Sequence, residues 1–280
     1  MLVNAKEIIK SAYKNKQVIF HININNLEWT KQTLLAANIE KKPIILGVSP
    51  SAAKYFGGYS VCYSIVKSLI KELRIKIPVC LHLDHGSYDD CIKAIKAKFN
   101  SIMFDGSRLP FEKNLEISKK LIEICKKKNI SIECEIGRIG GNEDGIVSDV
   151  SYTKLNEAKA FKEIGIDMLA VGIGNIHGEY PKDWKGLNFS LLSQLNDELK
   201  MPLVLHGGSG ISDDDLKKCI NLGISKININ TELQIANAKA IEKFVKNNNI
   251  MDNKNYNPRN LYKLSNEAIY HKVREILTKF

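Results

Sequence analysis

The chain has 280 residues, 44% hydrophobic and 26% charged, with a formal net charge of +10. Those are the values of an ordinary globular protein, long enough to bury its own core. No apolar run approaches the roughly 18 residues of a membrane-spanning helix, and residues 1–16 lack the apolar centre of a secretory leader, so a cytoplasmic protein is expected. The cysteines Cys62, Cys80, Cys91, Cys125, Cys134 and Cys219 form no CxxC pair and fall mostly in apolar stretches, which argues against a disulfide framework or a thiolate zinc site. Lysines are spread along nearly every helix-like segment, as at 71–76 and 126–128. A solvated surface is therefore expected rather than a nucleic-acid partner, and the excess positive charge favours an anionic substrate.

Eight short β-branched runs follow in chain order: residues 18–22, 43–48, 79–83, 102–104, 130–136, 168–173, 202–205 and 224–229. Such runs read as strands buried on both faces. Helix-period stretches lie between them. One covers 112–128, where Leu115, Leu121, Ile122 and Cys125 share a side. Another starts at Ser212, which can cap a helix whose first turn carries Asp213, Asp214 and Asp215. Strand then helix, eight times, predicts an α/β fold: a (β/α)8 TIM barrel with a C-terminal helical extension. One domain over 1–280 is expected, with 248–280 as the extension and a helix over 261–280. Residues 137–149 and 174–186 read as long loops, where function tends to sit.

In this fold the active site is built at the carboxyl ends of the strands. Those ends carry Asn23, Ser49, Asp84 with His85, Asp105, Glu135, His177, His206 and Asn228 to Asn230. Half of the chain's six histidines occur as His-Gly pairs past an apolar strand: His85, His177 and His206. A lone histidine there would be read as a strand cap. Three at one end of one barrel favour a catalytic zinc set with an open position. His82 reads as inward packing or a support for a ligand, and His21 and His271 as structural or exposed. Asp84, beside His85, can orient an imidazole or act as a base. Asp105 and Glu135 offer oxygen ligands for a second metal position. The glycine-rich run 206–210 follows strand seven, and Asn228, Asn230 and Thr231 close strand eight and open a helix, the usual phosphate site of a barrel.

The motifs LHLDHGS at 81–87, MFDGS at 103–107, ECEIGRIGGNEDG at 133–145, HGEYP at 177–181, LVLHGGSGI at 203–211 and KININTE at 226–232 carry a family resemblance over roughly the first 240 residues. With them the chain resembles class II fructose-bisphosphate aldolases and their tagatose-bisphosphate relatives. The resemblance implies that His85, His177 and His206 hold zinc, with Glu135 as an alternate or nearby ligand and Asp105 part of a second, looser metal position. It makes Asp84 the acid/base at the C4 hydroxyl and Glu143 the acid/base that works on the cleaved three-carbon fragment. Asn23, Ser49, Gly178, Gly207, Ser209, Asn228, Asn230 and Thr231 become substrate contacts. A phosphorylated sugar substrate, a homodimer or homotetramer, and room for a second divalent ion and a monovalent cation also follow from it. The chain departs from the family pattern at Arg108, Asn142, residues 181–185 and Asn266.

Carbon–carbon cleavage beside a ketone needs a Schiff-base lysine or a Lewis acid. No strand end offers a lysine, and Lys226 reads as opening strand eight at the far end, so the histidines favour a metal. The competing readings are a tagatose 1,6-bisphosphate or other ketose-bisphosphate aldolase, a metal hydrolase on the same barrel, and a nucleic-acid-binding module.

Overall fold

The computed structural model describes residues 1–143 and 146–280, and the side chains of 142–147 lie outside that description. The first half of the chain runs α1 (Ala5–Lys14), β1 (Ile19–Asn23), α2 (Leu27–Ile39), β2 (Ile44–Val48), α3 (Pro50–Phe56), α4 (Tyr59–Glu72), β3 (Val79–Gly86), α5 (Tyr88–Lys96), β4 (Ser101–Phe104), α6 (Phe111–Lys128) and β5 (Ser131–Ile136). It continues through β6 (Gly140–Glu143), β7 (Ile146–Ser148), α7 (Leu155–Ile164), β8 (Met168–Val171), β9 (Ile176–His177), α8 (Phe189–Leu199) and β10 (Leu203–Leu205). The remaining elements are α9 (Asp213–Asn221), β11 (Ile224–Ile229), α10 (Thr231–Asn247), α11 (Pro258–Leu261) and α12 (Lys263–Leu277).

The eight expected strands are all present and close a parallel barrel in the order β1-β11-β10-β8-β5-β4-β3-β2. Alternation along each strand sorts its side chains. Phe20 and Ile22 of β1, Leu81 and Leu83 of β3, and Ile132, Cys134 and Ile136 of β5 face the surrounding helices. The other set faces the barrel axis. At the amino end that set is apolar: Ile19, Ile45, Cys80, Met103, Met168, Ala170 and Val204 pack against Ala5, Ile9 and Ala12 of α1, which lies across this end. Higher up it is polar, with His21, His82, Glu133 and Lys226 buried beneath Asn23, Asp84, Glu135 and Asn228. Two residues separate the members of each strand's pair, as the strand period requires.

His21 fits only because residue 47 is glycine. A Cβ there would stand 1.6 Å from the His21 Nε2 atom. Gly47→Ala is expected to destabilise the protein by about 1–3 kcal/mol, the range for overpacking a filled interior. An unchanged denaturant midpoint would show that the ring has room to move.

Residues 137–149 and 174–186 are not wholly irregular. Parts of both form a small sheet of order β7-β6-β9, with β6 parallel to β9. The C-terminal helix is also present. α12 buries Ile269, Val273, Ile276 and Leu277 and packs on α2 and α10.

Candidate active site

Three different devices bring the His-Gly histidines together. In β3 the register against β4 shifts between Leu83 and Gly86. At this bulge His85 takes φ 49°, a left-handed conformation unusual for a residue with a Cβ. Bulges re-aim side chains. His206 directly follows β10 and is fully buried. His177 stands six residues beyond β8, in β9, and is placed by the small sheet rather than by a barrel strand. The Tyr180 hydroxyl ties the last two segments together, accepting from Ile176 N at 3.0 Å and donating to Gly207 O at 2.8 Å.

One ring nitrogen from each of His85, His177 and His206 lies within 4.8 Å of the other two. The outer nitrogens of two rings are already engaged. His85 Nδ1 is 2.9 Å from Asp105 Oδ2, and His206 Nε2 is 2.8 Å from Glu133 Oε1. Each carboxylate accepts from the outer nitrogen it meets, and for His206 this leaves the lone pair on the nitrogen that faces the group. These inner atoms, His85 Nε2 and His206 Nδ1, are 2.9 Å apart. Glu135 Oε2 is buried without a hydrogen-bond partner, 3.9 Å from His85 Nδ1. His85, Asp105 and Glu135 form a second group of ligand atoms within the same 4.8 Å limit. Converging imidazole nitrogens beside an unsatisfied carboxylate oxygen are a donor set suited to a divalent cation, which would take the place of the proton between His85 and His206.

The electrostatics divide the group. Burial, then the charge of His85, pushes His177 and His206 well below the usual imidazole range. Burial also opposes the charged form of His85, but the Asp105 hydrogen bond and the charges of Asp84, Asp105 and Glu135 hold it well above that range. Burial, reinforced by Asp105, raises Glu135.

Asp84 lies beside this group and is 2% exposed. Asn23 Nδ2 donates to its Oδ2 at 2.9 Å and Asn228 Nδ2 to its Oδ1 at 3.2 Å. Burial works to raise its carboxyl, but the neighbouring imidazoles of His21, His85 and His206 and the Lys226 ammonium hold it well below the usual carboxylate range. The side chain is therefore an oriented, buried anion with lone pairs still free to accept a proton.

The expected substrate contacts also come together. Asn23, Gly178, Gly207, Ser209, Asn228, Asn230 and Thr231 line one recess that also touches Asp84, His177 and His206. Ser49 lines an adjoining recess with Asn23, Asn230 and Thr231. Ser209 Oγ accepts from Asn230 N and Glu232 N at 3.3 and 3.4 Å, at the start of α10. The recess thus opens on the amino terminus of a 17-residue helix, where backbone N–H groups and the helix dipole favour an anion.

Glu143 carries a side chain outside the described residues. His82 faces inward as expected, its Nδ1 2.7 Å from Ser101 Oγ. His21 is buried, while His271 is exposed. Lys226 needs correction. It is the third residue of β11 rather than a group at a remote end, and its ammonium lies inside the barrel, 2.8 Å from Glu133 Oε2. Glu133 carries no expectation in the sequence reading. Its signal is its place two residues before Glu135, on the same face of β5.

Fold and site together fit a metal-assisted enzyme of the parallel-barrel class. The family model described as fructose-bisphosphate aldolase class-II matches residues 3–280. The fructose-bisphosphate aldolase of Ureaplasma parvum is 51% identical over 280 residues, covering 100% of this chain and 97% of its own. That of Mycoplasma genitalium is 54% identical over 271 residues, covering 96% of this chain and 94% of its own. Among solved structures, the YdjI aldolase of Escherichia coli K12 superposes with a TM-score of 0.84 at 31% identity, covering 100% of this chain and 97% of its own. The chain belongs to the class II fructose-bisphosphate aldolase family.

Proposed function

We propose that the chain reversibly cleaves fructose 1,6-bisphosphate to dihydroxyacetone phosphate and glyceraldehyde 3-phosphate, with zinc held by His85, His177 and His206. The observation that carries this reading is the convergence of three imidazoles, two of them with outer nitrogens already engaged, beside a buried, oriented aspartate. A bound divalent cation supplies Lewis-acid stabilisation of the negative charge left on the ketone oxygen as the C3–C4 bond breaks. Asp84 accepts the C4 hydroxyl proton in the cleavage direction and returns it in condensation. Asn23 and Asn228 hold its two oxygens in place for that transfer. Glu143 serves as the second acid/base, delivering a proton to the carbon of the three-carbon fragment.

The backbone at Gly178 and Gly207, the Ser209 hydroxyl and the start of α10 at Asn230 and Thr231 bind the phosphate of the ketone half, with Ser49 beside them. Fixing that phosphate fixes the angle at which C4 meets Asp84, and such orientation supplies a large share of a barrier reduction. Asp105 and Glu135 hold a second, looser cation position, and a monovalent cation is a further candidate. The same reading makes the protein a cytoplasmic homodimer or homotetramer. Among the described residues, no helix is long and apolar enough to cross a membrane.

The test is metal analysis of the purified protein together with a coupled assay on fructose and tagatose 1,6-bisphosphates, which differ at C4, the carbon Asp84 serves. Zinc in the protein, turnover abolished by chelation and a higher kcat/KM for the fructose sugar are expected. A lysine adduct trapped by borohydride would replace this scheme, and a preference for the tagatose sugar would reassign the substrate.

A further inference from the structure

Lys226 and Glu133 form a fully buried ion pair in the barrel interior, and neither has a role in the chemistry above. Glu133 uses both oxygens. Oε1 meets His206 Nε2 at 2.8 Å, and Oε2 meets Lys226 Nζ at 2.8 Å. Lys226 Nζ is also 3.5 Å from His82 Nε2, and the other nitrogen of that ring meets Ser101 Oγ. An ammonium can only donate, and an ionised carboxylate can only accept. Each contact in the chain from Lys226 through Glu133 to His206 therefore has a fixed direction: Lys226 donates, Glu133 accepts on both oxygens, and His206 donates from Nε2.

We propose that Lys226 and Glu133 are positioning residues for the metal centre: the ammonium holds Glu133 as acceptor, which keeps the His206 proton on Nε2 and its lone pair on Nδ1, facing His85 and His177. The inference rests on the metal reading of the histidine group and adds the device that fixes which atom of His206 serves it. A buried ion pair is poor evidence for stability by itself, because desolvation offsets the attraction. Its value here lies in direction. A neutral pair would leave the imidazole free to present either tautomer.

In Glu133→Gln the amide oxygen must face Lys226, so its NH2 is turned on His206 Nε2. That forces the His206 proton onto Nδ1, the atom facing the metal. Adding Lys226→Met frees the amide to rotate, with its oxygen toward His206 and its NH2 toward His82 Nε2. Zinc affinity, read by competition with a chromogenic chelator, is expected to fall at least about 10–100-fold in Glu133→Gln, the span typical of supports to metal ligands. The double variant is expected to recover part of that loss. The visible absorption of the cobalt-substituted protein should follow the same order, departing from wild type in the single variant and returning toward it in the double.

A merely structural pair would give the opposite order, with the double variant no better than the single. Equal zinc affinity in wild type and Glu133→Gln would also overturn the proposal. A wild type that takes up no zinc removes the metal reading as well, so the two failures are distinguishable. Should Glu133→Gln not fold, nitrogen-15 NMR of metal-free wild type decides. A His206 proton on Nε2 supports the proposal, and one on Nδ1 overturns it.

Discussion

His206→Ala is expected to abolish aldol cleavage and to lower zinc affinity by more than about 100-fold, beyond the upper end of losses seen when only a support to a ligand is removed. The ring does two things in the structure. Its Nδ1 is one of the three converging atoms, and its Nε2 engages Glu133 Oε1 at 2.8 Å. Alanine removes the ligand and leaves a buried carboxylate oxygen without that partner, which costs a further 1–3 kcal/mol or so of stability. Metal content by mass spectrometry and the thermal unfolding midpoint should fall together. A variant that keeps its zinc and its turnover would show that His206 is not part of the metal group.

Asp84→Ala separates acid/base chemistry from metal binding. Turnover is expected to drop by about 10²–10⁴-fold, the usual contribution of a positioned proton acceptor. Zinc content should stay at the wild-type level, because Asp84 hydrogen-bonds Asn23 and Asn228 rather than orienting an imidazole. Those two amides lose their acceptor, so a modest fall in stability accompanies the loss. KM for the sugar should change far less than kcat, since the phosphate recess is built mainly from other residues. Loss of zinc in this variant would recast Asp84 as a support of the metal group instead of the proton acceptor.

The barrel is legible in the sequence because each strand buries both faces and so reads as an apolar run. The start of β11 at Ile224 and its end at Ile229 coincide with the expected run, and β1 is displaced from its run by one residue. The convergence of His85, His177 and His206 is legible too, since glycine follows each of them past an apolar stretch. What the apolar runs conceal is the polar set within them. His21, His82, Glu133 and Lys226 each sit two residues before a residue of the mouth, and that spacing is the available clue. A barrel interior is the one place where both members of such a pair face the same enclosed space. The small sheet escapes because β6 begins Gly140-Gly141, with no apolar alternation to betray a strand. α1 shows Ala5, Ile9 and Ala12 at helical spacing, but its role as a floor follows only from the closed ring above it.

That floor constrains traffic. With Ala5, Ile9 and Ala12 of α1 packed into the amino end, the way in to the described mouth residues is from the opposite rim, where one recess reaches His85, Asp105 and Glu135 and another reaches Asp84, His206 and Ser209, with His177 lining both.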